Sequence, residues 1–128
     1  MSDEQPTLAE LQARVRAFAE ARDWGRYHSP RNLAMALSVE AGELLELYLW
    51  SSDDGPQPLH PPRAAKVADE AADVLLCLLN FCHRADVDLA AALEAKLAKA
   101  EAKYPVDRVK GRALKYHEYD DWSGDDDE

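Results

Sequence analysis

The sequence has few cysteines, and this shortage excludes two kinds of site. Only Cys77 and Cys82 occur among its 128 residues. Five positions apart on a helix, they would point about 140° away from each other, which disfavours a disulfide. A lone pair at this spacing is also not a zinc site. We therefore expect both to be small core residues in a reducing compartment.

Long hydrophobic runs are also missing. The longest apolar stretch, residues 74–82, is interrupted by Asn80 and is much shorter than the roughly 20 residues of a membrane span. The first ten residues, MSDEQPTLAE, are acidic and polar, unlike a signal peptide. We therefore expect a cytoplasmic protein with no membrane partner. Because 47% of the residues are still hydrophobic, a chain of this length should form one domain with its own core.

Basic residues are outnumbered, 15 against 25 acidic ones, which gives a formal net charge of −10. Seven of the acids fall in residues 118–128, where no base occurs. This pattern predicts a folded domain over residues 1–116 and an acidic, disordered tail over residues 117–128. From Lys96 to Lys115, by contrast, seven basic residues face two acidic ones. The segment is too narrow for a nucleic-acid surface, so we expect no nucleic-acid partner, but it suits a small phosphate-bearing ligand.

Helical spacing and capping signals predict four helices. Thr7 begins a capping box, Ser29 with Pro30 reads as an N-cap and first helical residue, and Pro105 stops the last helix. Residues 51–62 hold four of the seven prolines and predict a loop. Because no segment alternates as a strand would, we expect an all-α fold, a four-helix bundle. The predicted helices run from Leu8 to about Asp23, from Pro30 to about Trp50, from Arg63 to about Arg84 and from Leu89 to about Tyr104.

Two pairs of carboxylates stand out in the second and third helices, Glu40-x-x-Glu43 and Glu70-x-x-Asp73. Residues three apart lie on one face of a helix, so two packed helices would bring four acids together. On a helical wheel Glu40 and Glu70 turn towards the interior, Glu43 and Asp73 lie at its rim, and Glu46 points to solvent. Clustered carboxylates repel each other unless cations neutralise them, which suggests a divalent metal site. The alternative is that both pairs are solvated surface charges.

The residue types around the pairs narrow the choice of metal. A di-iron bundle would use Glu-x-x-His on two helices, and no histidine of this chain follows a glutamate in that way. With carboxylates as the expected ligands, Mg²⁺ is favoured and Mn²⁺ is possible. Mg²⁺ sites of this kind keep several waters and bind the phosphates of a substrate.

Short motifs flank the acidic pairs across most of the chain. Together with the pairs they resemble the MazG-like superfamily of all-α nucleoside triphosphate pyrophosphohydrolases, and within it the dCTP pyrophosphatase-like branch. The similarity extends over residues 8–116. The matching motifs are Arg22-Asp23-Trp24, His28-Ser29-Pro30-Arg31-Asn32-Leu33, Glu40-Ala41-Gly42-Glu43-Leu44, Trp50, Asp73-Val74-Leu75-Leu76, Val87-Asp88-Leu89 and Lys103-Tyr104-Pro105.

The resemblance implies an activity. Members of this family cleave the α–β phosphate linkage of a nucleoside triphosphate with Mg²⁺, giving a nucleoside monophosphate and pyrophosphate, and so cleanse the nucleotide pool. The implied substrate is dCTP or a related or modified nucleotide. Members of the family usually form homo-oligomers, either dimers or tetramers. Carried over to this chain, the metal ligands and catalytic residues are Glu40, Glu43, Glu70 and Asp73.

The resemblance also implies substrate contacts. Trp24, His28 and Trp50 match positions that shape the base pocket, and aromatic faces suit the stacking of a base. Members of the branch have Tyr and Asn where this chain has Cys77 and Ala100, two departures that bear on the choice of base. The remaining candidates for substrate binding are Asn32, Asn80, Lys96, Lys99, Lys103, Arg112 and Lys115.

Two other functions stay open at this stage. The chain could be a non-catalytic helical interaction module whose acids are structural or bind a basic partner. It could also be an enzyme of the same fold with broad or dUTP-directed specificity.

Overall fold

The computed structural model describes residues 4–50 and 63–118, and every regular element in this part of the chain is helical. The all-α prediction is confirmed. The predicted loop at 51–62 and most of the predicted acidic tail lie outside the described residues. The described part contains no helix that is both long and apolar enough to cross a bilayer. The elements are α1 (Leu8–Ala21), a 3₁₀ helix (Trp24–Tyr27), α2 (Pro30–Glu46), α3 (Arg63–Arg84), α4 (Leu89–Lys103), α5 (Val106–Val109) and a second 3₁₀ helix (Tyr116–Glu118).

The helix starts follow the capping signals in the sequence. The Thr7 hydroxyl accepts a hydrogen bond from the Glu10 amide at 3.2 Å, and the Ser29 hydroxyl accepts one from the Asn32 amide at 3.1 Å. Each bond satisfies an amide that would otherwise lack a partner at a helix N-terminus. The predicted starts at Leu8 and Pro30 are therefore confirmed.

The helix ends were predicted less well. The prediction that α2 continues to Trp50 is wrong, because the helix ends at Glu46. The next amides, from Leu47 to Leu49, bond carbonyls three residues back, as in a tightened last turn. Trp50 itself has a φ of 62°, outside the helical region. After Pro105, which ends α4 as predicted, the short α5 was not predicted.

The chain forms two compact units, Met1–Leu89 and Ala90–Glu128. In the first, α2 packs along α3, and α1 also packs against α3. Its core is small, and the most buried apolar residues are Ala19, Leu33, Leu79 and Cys82. Cys82 is 2% exposed, and both cysteines are free, as predicted.

Several apolar side chains of α2 and α3 are not covered. On a helical wheel Ala41 shares the apolar face of α2 with Leu37 and Leu44, which predicts that it is buried. The prediction is wrong, since Ala41 is exposed. On α3, the apolar side chains of Leu75 and Leu76 are each 40% exposed. Val39 and Leu45 of α2 are more exposed still, at 60% and 72%. A single chain therefore leaves several apolar side chains of α2 and α3 in contact with water, where another surface could cover them.

Candidate functional site

Three acidic side chains meet where α2 and α3 pack together. Glu40 and Glu43 lie one turn apart on α2, and Glu70 approaches from α3. One carboxylate oxygen from each lies within 4.8 Å of those of the other two. The i, i+3 spacing places the α2 pair on one face, and the helix packing adds the third acid. We refer to these three residues as the acidic cluster.

Two members of the acidic cluster carry an oxygen that is cut off from water. Oε2 of Glu40 and Oε2 of Glu70 are buried and, when these groups are ionised, accept no hydrogen bond. Both residues are half-buried, in agreement with the inward orientation predicted by the wheel. An ionised oxygen that is buried without a donor is destabilising, because it has lost its water and gained nothing in return.

The same crowding favours the protonated forms of these groups. The pKa of Glu40 is raised, first by a hydrogen bond to Glu43 that needs a proton on one of the two carboxyls. Burial and the negative charges of Glu43, Asp73 and Glu70 raise this pKa further. Burial is the main cause of the raised pKa of Glu70, and the charge of Glu43 comes next. Each group thus keeps a proton above its ordinary range in the absence of a cation.

Asp73 lies one turn after Glu70 on α3 but outside the acidic cluster. Its charge nevertheless contributes to the raised pKa of both Glu40 and Glu70, so it lies close to them. Asp73 is exposed, in agreement with its predicted place at the rim. Asp73 could therefore complete a cation site if its side chain turned towards the acidic cluster, or if the cation lay to one side of the centre of the cluster.

The donor set of the acidic cluster fits a hard divalent cation. Its members offer only carboxylate oxygens, the ligands that Mg²⁺ and Mn²⁺ prefer. A cation would also give the buried Oε2 atoms of Glu40 and Glu70 the partner they lack. Burial and the charges of Glu40 and Asp73 raise the pKa of the Cys77 thiol, which disfavours the thiolate form that ligates metals.

A row of aromatic side chains lies in the segment between α1 and α2. We call residues 24–28 the connector. The Trp24 ring meets the Phe18 ring edge-on at 5.7 Å between centroids, and the centroid of the His28 ring lies 6.5 Å from that of Trp24. The guanidinium of Arg22 lies 3.6 Å from the centre of the Phe18 ring. Trp24 remains 44% exposed, so part of its ring is available for a flat ligand.

The other predicted substrate-binding residues of the first unit are placed differently. The side-chain amide of Asn32 donates a hydrogen bond to the carbonyl of Tyr27 at 3.1 Å. Trp50 is 95% exposed just beyond the end of α2, while Asn80 is 8% exposed within α3. The structure therefore brings Trp24 and His28 together but leaves Trp50 outside any contact described for the first unit.

The predicted phosphate contacts belong to the second unit. Lys96, Lys99 and Lys103 lie on α4, and Arg112 and Lys115 follow α5. Each is exposed. The backbone amide of Lys115 donates a hydrogen bond to Oε2 of Glu118 at 2.7 Å. These residues form a basic segment whose function remains a prediction.

One residue of the first unit has a contact that the sequence did not predict. Arg84, the last residue of α3, donates from Nε to the carbonyl of His28 at 2.9 Å. In the sequence Arg84 is only a basic residue near the end of the helix that carries Glu70 and Asp73. A basic residue in the last turn of a helix suggests a hydrogen-bonding role, but nothing in the sequence indicates a partner 56 positions away.

Comparisons with known proteins agree with these features. A model of the MazG-like family matches residues 35–119, a range that contains all four predicted acids. dCTP pyrophosphatase 1 of Rattus norvegicus is 41% identical over 114 residues, which cover 88% of this chain and 67% of that protein. The Homo sapiens dCTP pyrophosphatase 1 is 38% identical over 116 residues, 89% of this chain and 68% of the relative. Among solved structures, a pyrophosphatase from Archaeoglobus fulgidus superposes with a TM-score of 0.70 at 37% identity, covering 82% of this chain and 98% of that one.

Proposed function

This chain belongs to the MazG-like family, and we propose that it is a metal-dependent pyrophosphohydrolase that cleaves dCTP, or a closely related or modified nucleotide, to the monophosphate and pyrophosphate. The acidic cluster carries the proposal, because three carboxylates within 4.8 Å are a costly arrangement without a cation. The relatives named dCTP pyrophosphatase 1 support the reaction and the nucleotide.

We assign the cation to Glu40, Glu43 and Glu70, with Asp73 as a fourth ligand. Mg²⁺ is the expected ion and Mn²⁺ the alternative. When bound, such an ion offsets charge on phosphate oxygens and lowers the pKa of a coordinated water. The protein's own contribution is to fix the positions of the carboxylates on α2 and α3, with Glu40 and Glu70 half-buried.

The connector is the proposed base site. Trp24 offers a partly exposed ring for stacking, and His28 has ring nitrogens that can hydrogen-bond to a base edge or sugar. Trp50 is a second proposed stacking partner, and its 95% exposure leaves its ring free for contact with a nucleotide or with another copy of the chain. Asn80 of α3 is proposed as a further polar contact for the nucleotide.

We propose that the basic segment binds phosphate. Lysine and arginine are the usual ligands of phosphate oxygens, and here they are concentrated in one part of an acidic chain. The residues proposed for this role are Lys96, Lys99, Lys103, Arg112 and Lys115.

We also propose that the working form is a homo-oligomer, a dimer or tetramer. Val39 and Leu45 on α2, and Leu75 and Leu76 on α3, are exposed apolar side chains on the helices that carry the acids. A second copy of the chain is the simplest partner for such surface.

Release of pyrophosphate from a panel of nucleotides tests the function. The panel contains the common deoxynucleotides, CTP, dUTP and 5-methyl-dCTP, each with Mg²⁺, with Mn²⁺ or with EDTA. We expect pyrophosphate from the cytosine deoxynucleotides only when metal is present. A folded sample that releases none from any nucleotide would instead support a helical interaction module, and a clear preference for dUTP would overturn the cytosine assignment.

A further inference from the structure

Two side chains hold consecutive carbonyl groups at the end of the connector. The side-chain amide of Asn32 donates to the carbonyl of Tyr27 at 3.1 Å, and Nε of Arg84 donates to the carbonyl of His28 at 2.9 Å. Asn32 lies in the first turn of α2, and Arg84 is the last residue of α3. We call this pair of side chains the carbonyl clasp.

These carbonyls need such donors because of where they lie. The connector is a single 3₁₀ turn, and the last carbonyls of a helical turn have no partner within it.

The position of Arg84 is itself fixed by the way α3 ends. The amide of Val87 donates to the carbonyl of Cys82 at 2.8 Å, and Asp86 has a φ of 56°. This is the Schellman arrangement, which closes the last helical turn and holds Arg84 within it. The donor that reaches the connector is therefore mounted on a well-defined helix end rather than on a loop.

The helices of the carbonyl clasp are the helices of the acidic cluster. Glu40 follows Asn32 by eight residues on α2, about 12 Å along the axis, and Glu70 precedes Arg84 by fourteen on α3, about 21 Å. The clasp thus ties the connector to both helices that carry the acids. Any movement of the connector relative to the acidic cluster must break one of these two bonds.

We propose that Asn32 and Arg84 are positioning residues for base recognition, which hold Trp24 and His28 in register with the acidic cluster. The effect of this positioning on kinetics rests on the proposed function. In this proposal Asn32 does not act by contacting the nucleotide directly, because its side-chain amide donates a hydrogen bond to the carbonyl of Tyr27.

Kinetics with dCTP test the consequence. In Arg84→Ala and Asn32→Asp we expect KM to rise about tenfold while kcat changes by less than about twofold, because a misplaced stacking ring weakens binding without altering the acids. Arg84→Lys keeps a charged donor and should recover part of the lost affinity. The matched control is Arg16→Ala on α1, which removes an exposed arginine paired only with Glu20 and should leave KM unchanged.

Fluorescence of Trp24 tests the clasp without any substrate. In a Trp50→Phe, Trp122→Phe background Trp24 is the single tryptophan, and acrylamide quenching reports how well its ring is held. We expect steeper quenching in Arg84→Ala and Asn32→Asp than in Arg16→Ala, at a temperature where thermal scans show every variant folded. Arg84→Lys provides the comparison if Arg84→Ala does not fold.

The outcomes separate the two proposals. Quenching in the clasp variants equal to that of Arg16→Ala would overturn the clasp, even if KM rises, because Asn32 or Arg84 would then act by direct contact. A fall in kcat at unchanged KM would overturn it as well. Failure of the proposed function would appear differently, as no pyrophosphate from the unaltered chain, and the quenching comparison would still decide whether the clasp holds the connector.

Discussion

At the scale of single residues, the acidic cluster is the feature that most needs a function. Glu40 and Glu70 each bury an oxygen without a hydrogen-bond donor, and their mutual repulsion is relieved by a proton or by a cation. Carboxylates that served only as surface charges would be more stable if they were hydrated and farther apart. A bound cation would relieve the repulsion and give both buried oxygens a partner.

Glu43→Gln should lower kcat for pyrophosphate release by at least about 100-fold, because it removes one charge and one oxygen ligand from a three-carboxylate set. Thermal unfolding should show the fold intact. The matched control is Glu46→Gln, which makes the same change three residues further along α2, on an exposed residue outside the acidic cluster. Equal activities in the two variants would contradict the assignment of Glu43.

The pKa shifts predict how metal-free stability depends on pH. Because the pKa values of Glu40 and Glu70 are raised on folding, the folded chain binds more protons than the unfolded chain above the ordinary value of 4.5. Their contribution to stability is therefore present below pH 4.5 and is lost as the pH rises through the raised pKa. In EDTA, the melting temperature of wild type relative to Glu40→Gln should fall across this window.

Mg²⁺ should reverse that trend, since it binds the ionised carboxylates and stabilises the folded state more as they lose their protons. The comparison is a thermal scan series from pH 4.5 to 8, with EDTA and with Mg²⁺. A wild-type melting temperature that rises relative to the variant in EDTA would show that Glu40 is not crowded in the metal-free protein.

At the scale of elements, the starts of helices were predictable and their ends were not. Thr7 and Ser29 cap their helices through their own hydroxyls, a signal that is local and visible in the sequence. The end of α2 depends instead on a gradual change to bonds three residues back after Glu46, without a glycine or proline to mark it. The connector's 3₁₀ turn and α5 are similarly short and carry no periodic pattern.

Ser29→Ala should destabilise the fold by about 1 kcal/mol, because the Asn32 amide loses its acceptor at the start of α2. Ser38→Ala is the matched change in the interior of the same helix, where the hydroxyl only donates back to the carbonyl of Ala34. It should be neutral or slightly stabilising. Denaturant unfolding of both variants measures the difference, and equal stabilities would argue against the cap.

The candidate site shows the same limit of sequence reasoning. Helical spacing within the two pairs predicted that four acids would meet if the helices packed together. The structure brings Glu40, Glu43 and Glu70 together and leaves Asp73 outside the acidic cluster. The contacts of Arg84 and Asn32 with the connector depend on how helices pack at their ends, and no local pattern encodes that. The wheel failed for Ala41 for a related reason: periodicity identifies an apolar face but not what covers it.

At the scale of the whole molecule, the exposed apolar side chains of α2 and α3 are the main open feature. Leu45 is 72% exposed and Val39 is 60% exposed, on the helix that also carries half of the predicted metal ligands. If a second copy covers them, assembly and the integrity of the site are linked.

Sedimentation velocity should give a mass that is a multiple of the 14.3 kDa chain. Leu45→Glu should shift the distribution towards the single chain, because a charge placed in an apolar interface is strongly unfavourable. Ala13→Glu adds the same charge to an exposed position of α1 and should not. A wild-type protein that stays at 14.3 kDa at micromolar concentration would refute the oligomer.

A cation held by the acidic cluster should enable this chain to cleave dCTP between its α- and β-phosphates. The most direct test is phosphorus-31 NMR of dCTP incubated with the unaltered chain, with Mg²⁺ and with EDTA. We expect dCMP and pyrophosphate in equal amounts with Mg²⁺ and intact dCTP with EDTA. Formation of dCDP and inorganic phosphate, or cleavage that continues at full rate in EDTA, would contradict it.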